Sequence, residues 1–126
     1  MEHLMAARTF AFGPIGTAER ISDGEFAVRA IMKNPEAPQL FKTAYAQATA
    51  EGQLYALCGI HVTSADSFDD FASPLRSETR DVKTMSGITT TNEPIATVVQ
   101  RITSGDYDRY FTNRPAPSVQ PSSTAQ

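Results

Sequence analysis

The chain carries a single cysteine, Cys58, so it cannot close an intramolecular disulfide and gives no signal of redox compartment. It has only two histidines, His3 and His61. That leaves little material for a histidine-rich metal site, and any Ser-His-Asp triad would have to draw on one of those two. No apolar run approaches the roughly 20 residues that a membrane-spanning helix needs. The 11 basic and 14 acidic residues, net charge -3, form neither a basic stripe nor an acidic block, which argues against nucleic acid as a partner. Met1–Arg8 lacks the basic start and apolar centre of a secretory leader. The cytoplasm is the default expectation, although a chain supplied without its leader would read the same.

What is present suits one small globular domain. The chain has 126 residues, of which 40% are hydrophobic and 20% charged, and a domain of that size buries roughly two-thirds of its unfolded surface. Three segments are expected. Residues 1–21 form an extended arm with Phe10, Phe12 and Ile15 as apolar points, where a short strand is the rival reading. Residues 22–111 form a helical domain. Residues 112–126, rich in proline, serine, glutamine and alanine, form a disordered tail, since they cannot bury enough apolar surface to offset ordering entropy.

Within the domain the spacing predicts five helices. Ser22 and Glu25 have capping-box spacing, and Phe26, Ala27, Ala30 and Ile31 follow as an apolar face. Asn34-Pro35 should stop that helix and open the next, with Asn34 as N-cap and Pro35 at the first helical position. Ala37, Leu40, Phe41, Ala44, Tyr45 and Ala48 then recur at offsets of 0, 3, 4, 7, 8 and 11, the strongest amphipathic pattern in the chain. Thr49 can cap a third helix reaching Val62. Its centre, Leu54 to Cys58, is apolar nearly all round and so reads as a buried central helix, with a buried strand as the alternative. Thr63 or Ser64 should cap a fourth helix facing the core through Ala65, Phe68, Phe71, Ala72 and Leu75. Residues 81–91 read as a short β-hairpin or extended insert. Asn92-Glu93-Pro94 should open the last helix, which carries Ile95, Val98, Val99 and Ile102 and ends at Gly105. Tyr107, Tyr110 and Phe111 supply a closing aromatic contact.

Helices one and two match helices three and four at an offset of 28: Gly24 with Gly52, Phe26 with Leu54, Ala37 with Ala65, Leu40 with Phe68, Ala44 with Ala72. Amphipathic helix pairs of similar length also match in this way by chance. The stretch Gly52 to Ile60 resembles the buried second helix of HEAT-type repeats, and also a small bacterial helical domain of unassigned function. The resemblance covers residues 22–78 and rests on core apolarity and small residues. It implies a scaffold with a protein-binding role and carries over no catalytic residue. The chain departs from a repeat protein in having at most two units and a β-like insert.

Few residues could carry chemistry. Cys58 and His61 are three apart and share a helix face, the spacing of a thiolate–imidazole pair or of two metal ligands. The plainer reading is that Cys58 is a small hydrophobe in the most apolar segment. Asp66, Asp69 and Asp70 lack the EF-hand pattern and suit a helix start. Asp23, Glu19 and Glu25 could pair as acid and base, but nothing ties them to a pocket. Gly13-Pro14-Ile15-Gly16-Thr17 lacks the Lys-Ser/Thr of a phosphate loop and reads as a turn. Neither Ser86 nor Ser104 lies in a nucleophile-elbow motif.

The expectation is therefore a mainly α protein: a five-helix orthogonal bundle of stacked helical hairpins, HEAT-like, with a hairpin near 81–91. Its expected role is a non-enzymatic module binding protein or peptide, with Tyr45, Tyr107 and Tyr110 as candidate contacts, and no cofactor or metal is called for. A small enzyme or ligand-binding protein using Cys58 and His61 in a helical pocket is the alternative. A scaffold cut from a larger protein is the third reading.

Overall fold

The computed structural model describes residues 2–13 and 21–111, apart from the side chains of Glu2 and His3. The tail from 112, Ile15 and Glu19 lie outside the described residues. The described chain runs as a one-turn helix α1 (Glu2–Met5), then α2 (Asp23–Met32), α3 (Ala37–Gln47), α4 (Ala50–Thr63), α5 (Phe68–Arg76), β1 (Asp81–Ser86), β2 (Thr89–Pro94) and α6 (Ile95–Thr103). The fold is mostly helical, with one two-stranded antiparallel sheet.

Helix α4 is the axis of the core. Leu54 through Ile60 are all buried on it, whichever way they point, and it packs against α1, α2, α3, α5 and α6. Thr49 caps it as expected, accepting from the Gly52 N–H. Helices α3 and α4 pack closely because Gly59 has no side chain: a Cβ there would collide with the Phe41 ring. The α2–α4 crossing depends in the same way on Gly24, which lies under the Tyr55 ring.

Several boundaries and faces differ from the sequence reading. Helix α2 buries Gly24, Ala27, Val28 and Ile31, so the apolar template starts at Gly24 and not at Phe26. Phe26 is 66% exposed. It sits at the fourth helical position with Ile21 just before the cap, the two positions of a hydrophobic staple. Ser22 does accept from the Glu25 N–H (3.0 Å), but the Glu25 carboxylate turns inward and completes no capping box. Asn34 does not cap α3. Its Oδ1 accepts from the Glu36 N–H (2.8 Å), closing a local turn, and the helix begins two residues later than an Asn34 cap requires. Helix α4 runs on to Thr63, and a 3₁₀ turn (Ala65–Ser67) precedes α5, leaving Ala65 exposed. Residues 92–94 belong to β2, because Asn92 and Glu93 complete the ladder opposite Lys83 and Val82. Helix α6 ends as expected: Gly105 has φ +83°, with bonds from Gly105 N to Ile102 O and from Asp106 N to Arg101 O.

The two units of the 28-residue offset agree in burial at Gly24/Gly52 and Ala44/Ala72, and disagree at Phe26/Leu54 and Ala37/Ala65. The N-terminal arm is not extended throughout: it begins with the one-turn helix α1, whose Leu4 is fully buried. It then meets β1 by a single parallel bridge between Phe10 and Thr84.

Candidate binding cleft

The sheet register decides which hairpin side chains share a face. Val82, Thr84 and Ser86 on β1 lie opposite Glu93, Thr91 and Thr89 on β2, and alternation puts all six on one side. The arm runs beside the outer edge of β1, bridged at Phe10 and Thr84, and brings Phe10, Ala11 and Phe12 to this side. The Gly105 turn brings Asp106 and Tyr107 back, followed by the 3₁₀ turn Asp108–Tyr110. Between arm, hairpin and C-terminal turn is a cleft of about 420 Å³, lined by Phe10, Phe12, Tyr107 and Tyr110, by hydroxyls of the hairpin, and by Glu93, Arg101, Asp106 and Arg109.

Each wall is fixed by identifiable contacts. Phe10 donates its N–H to Lys83 O (2.8 Å) and accepts from Met85 N (3.2 Å). The fully buried Tyr55 phenol accepts from the Ala11 N–H (2.8 Å), donates to Ala11 O (2.9 Å) and lies 2.8 Å from Ser22 Oγ. Burial pushes the phenol pKa up to about 12 against those hydrogen bonds, which lower it. Glu25, also fully buried, accepts from the Gly13 N–H through Oε1 (2.7 Å) and from Arg29 through Oε2 (2.6 Å). The arm is thus held at three successive points by β1, α4 and α2.

The closed end of the cleft is a charged pair. Arg101 Nη1 and Nη2 donate to the two Glu93 oxygens (2.7 and 3.0 Å), its Nε donates to Tyr107 Oη (2.9 Å), and Thr84 Oγ1 donates to Glu93 (2.6 Å). The Arg101 hydrogen bond is the main reason the Glu93 carboxyl lies below its usual value and the guanidinium above its own. Burial raises the Tyr107 phenol, opposed by Arg101. The aromatic wall is itself a packed cluster. Phe12 stacks on Tyr110 (4.9 Å, 16°), the Arg109 guanidinium lies 4.9 Å from the same ring, and Phe10 meets Tyr107 edge-on (5.1 Å, 87°).

The sequence candidates are dispersed. Cys58 is 1% exposed, and burial pushes its thiol pKa well up, so it is held protonated inside the core. His61 Nδ1 lies 2.9 Å from Asp108 Oδ1, and its ring meets Phe68 edge-on. It therefore ties α4 to the C-terminal turn. Asp69 pairs with Arg76 (3.1 Å), and Asp69 and Asp70 sit in the first turn of α5. Among the described residues no three His, Cys, Asp or Glu side chains converge as metal ligands would. The Gly13 N–H is taken by Glu25, and residues 14–17 of that turn lie outside the described residues. Ser86 lines the cleft, and Ser104 is the C-cap of α6. Tyr45 is a helix tie, its hydroxyl donating to Phe71 O (2.7 Å). Tyr107 and Tyr110 do line the cleft. Phe10, Phe12, Tyr55 and the Glu93–Arg101 pair were not identified as site residues from sequence. Phe10 and Phe12 carried a faint strand-like alternation, while the others came together only through tertiary folding.

Compared with known proteins, the chain matches no family model, no curated protein and no solved structure.

Proposed function

We propose that this chain is a non-enzymatic helical module that binds a segment of a partner protein in the cleft between arm, hairpin and C-terminal turn. The observation that carries this reading is the cleft itself, about 420 Å³ and bounded by aromatic rings with a few polar groups converging on it. Clefts of roughly 300–1,000 Å³ with that lining are the usual form of a small-molecule site, and pockets of the same kind take the side chains of a bound peptide segment. The polar groups at its closed end are already bonded to one another, an arrangement that favours recognition by shape over proton transfer. In this reading α2–α3 and α4–α5 are stacked helical hairpins of the HEAT-like kind, which supply a stiff support, and the module works in the cytoplasm. The Cys58–His61 alternative is disfavoured, because a buried, protonated thiol is a poor nucleophile and the His61 Nδ1 faces Asp108.

The test is a peptide-display selection against the full chain, followed by titration of the selected synthetic peptides into wild type and a Ser86→Arg variant. Ser86 is exposed at the mouth of the cleft, so the arginine obstructs it without entering the core. Selected peptides should lose about tenfold or more in affinity, or about 1.4 kcal/mol. No selectable peptide, or equal binding to both proteins, would contradict the reading.

A further inference from the structure

The hairpin has two edges, and they are treated differently. The register and the two-residue turn Gly87-Ile88 make Val82/Glu93, Thr84/Thr91 and Ser86/Thr89 the hydrogen-bonded pairs. Lys83 and Met85 on β1, and Thr90 and Asn92 on β2, therefore point their amides outward. On β1 both outward amides are closed. Lys83 N donates to Glu51 Oε2 (2.9 Å) and Met85 N donates to Phe10 O (3.2 Å). On β2, Thr90 and Asn92 have no such partner among the described residues, and every residue from Ser86 to Asn92 is exposed. An edge of this kind accepts an extended backbone.

We propose that the edge of β2 takes a second copy of this chain, paired antiparallel about Thr91. The edge is self-complementary. With Thr91 on the two-fold axis, Thr90 of one copy faces Asn92 of the other, and each such pair exchanges both of its N–H···O bonds. No charged residue lies between Ser86 and Asn92, so two copies meet without like-charge repulsion, and Glu93 falls opposite Thr89. The same register carries Ile88 towards Pro94 of the other copy. Ile88 is 73% exposed, the most exposed large apolar side chain among the described residues, and this pairing accounts for it. Facing residues of an antiparallel pair project to the same side, so the two clefts open on one face of a four-stranded sheet. Pairing along one short strand buries well under the ~1,200 Å² of a standard stable interface, so the association is weak and shows itself on concentration.

Sedimentation equilibrium of the full chain from about 10 µM to about 1 mM, with no peptide present, tests this independently of the cleft reading. The weight-average mass should climb from one chain towards two, and the Thr90 and Asn92 amides should gain exchange protection as it does. Thr90→Pro removes an outward N–H while sparing the inward ladder, and Thr91→Lys sets like charges opposite each other. Each should shift the dissociation constant tenfold or more while leaving helical circular dichroism unchanged. Should Thr90→Pro disturb the hairpin, Thr91→Lys gives the reading alone. A chain that stays monomeric throughout, or a dimer indifferent to Thr91→Lys, would overturn the proposal.

Discussion

The α3–α4 pair and the arm–hairpin side of the molecule are joined by different forces. Where α3 meets α4 the contact is mainly hydrocarbon and ring, with Phe41 packed over Gly59 among buried apolar residues, and one hydrogen bond runs across it from Gln53 Nε2 to Tyr45 O (3.3 Å). On the other side packed rings, Phe10 on Tyr107 and Phe12 on Tyr110, are combined with directional polar joints: Tyr55 to Ala11, Glu25 to Gly13, Arg101 to Glu93, His61 to Asp108. Apolar packing is non-directional and tolerates small shifts. Hydrogen-bonded joints demand particular partners and fail one at a time. The first kind gives a stiff support, and the second gives a cleft whose walls can be released singly.

The comparison breaks most severely at Phe41. Phe41→Ala removes a fully buried ring between α3 and α4 and should cost about 3–5 kcal/mol, read as a lowered urea midpoint in which helix and cleft signals fall together. A smaller, local effect is expected from Tyr55→Phe. The ring stays and Ala11 O keeps the Ser22 hydroxyl (3.0 Å), but the buried Ala11 N–H loses its partner, at about 1–3 kcal/mol. Proteolysis of the arm should accelerate more than global unfolding does. Wild type carries a matching pH signature. The Tyr55 phenol titrates at about 12 in the folded chain and near 10 when unfolded. A raised value means that the stability it contributes is complete below the unfolded value and is lost as pH climbs towards the folded one. Alkaline titration followed by phenolate absorbance should show a tyrosine titrating at that high value, absent in Tyr55→Phe.

Arg101→Gln is expected to be milder, about 1 kcal/mol, since both Arg101 and Glu93 remain partly exposed and solvent screens the pair. Its sign shows in acid. The Glu93 carboxyl is depressed in the folded chain. The stability it contributes is present above about 4.3, the ordinary glutamate value, and disappears as pH falls through the folded value. Arg101→Gln should flatten that acid loss in urea titrations repeated from neutral pH downward.

These contrasts also explain what the sequence could reveal. Helix α4 was legible because Leu54 to Ile60 are apolar on every side, and α6 because Ile95, Val98, Val99 and Ile102 keep strict helical spacing before a glycine stop. Period fails where two phases compete. In α2 both Gly24 and Phe26 begin an acceptable apolar stripe, and only the Tyr55 ring lying on Gly24 decides between them. It fails again at β2, where Thr89 to Asn92 are all polar and only pairing with β1 shows how far the strand runs. The cleft was least legible. Tyr107 and Tyr110 stood out as tyrosines near the end of the domain, but Glu93 and Arg101 lie on different elements, and Glu25 looked like half of a capping box until the arm supplied the Gly13 N–H.

Native-state hydrogen exchange on the full chain tests the two-force description most directly. The amides of Leu54 to Ile60 should exchange only through global unfolding, while those of Phe10, Ala11, Gly13 and Met85 should exchange through smaller openings of lower free energy and steeper response to Tyr55→Phe. Equal protection in the two regions, or an arm that outlasts α4, would contradict it.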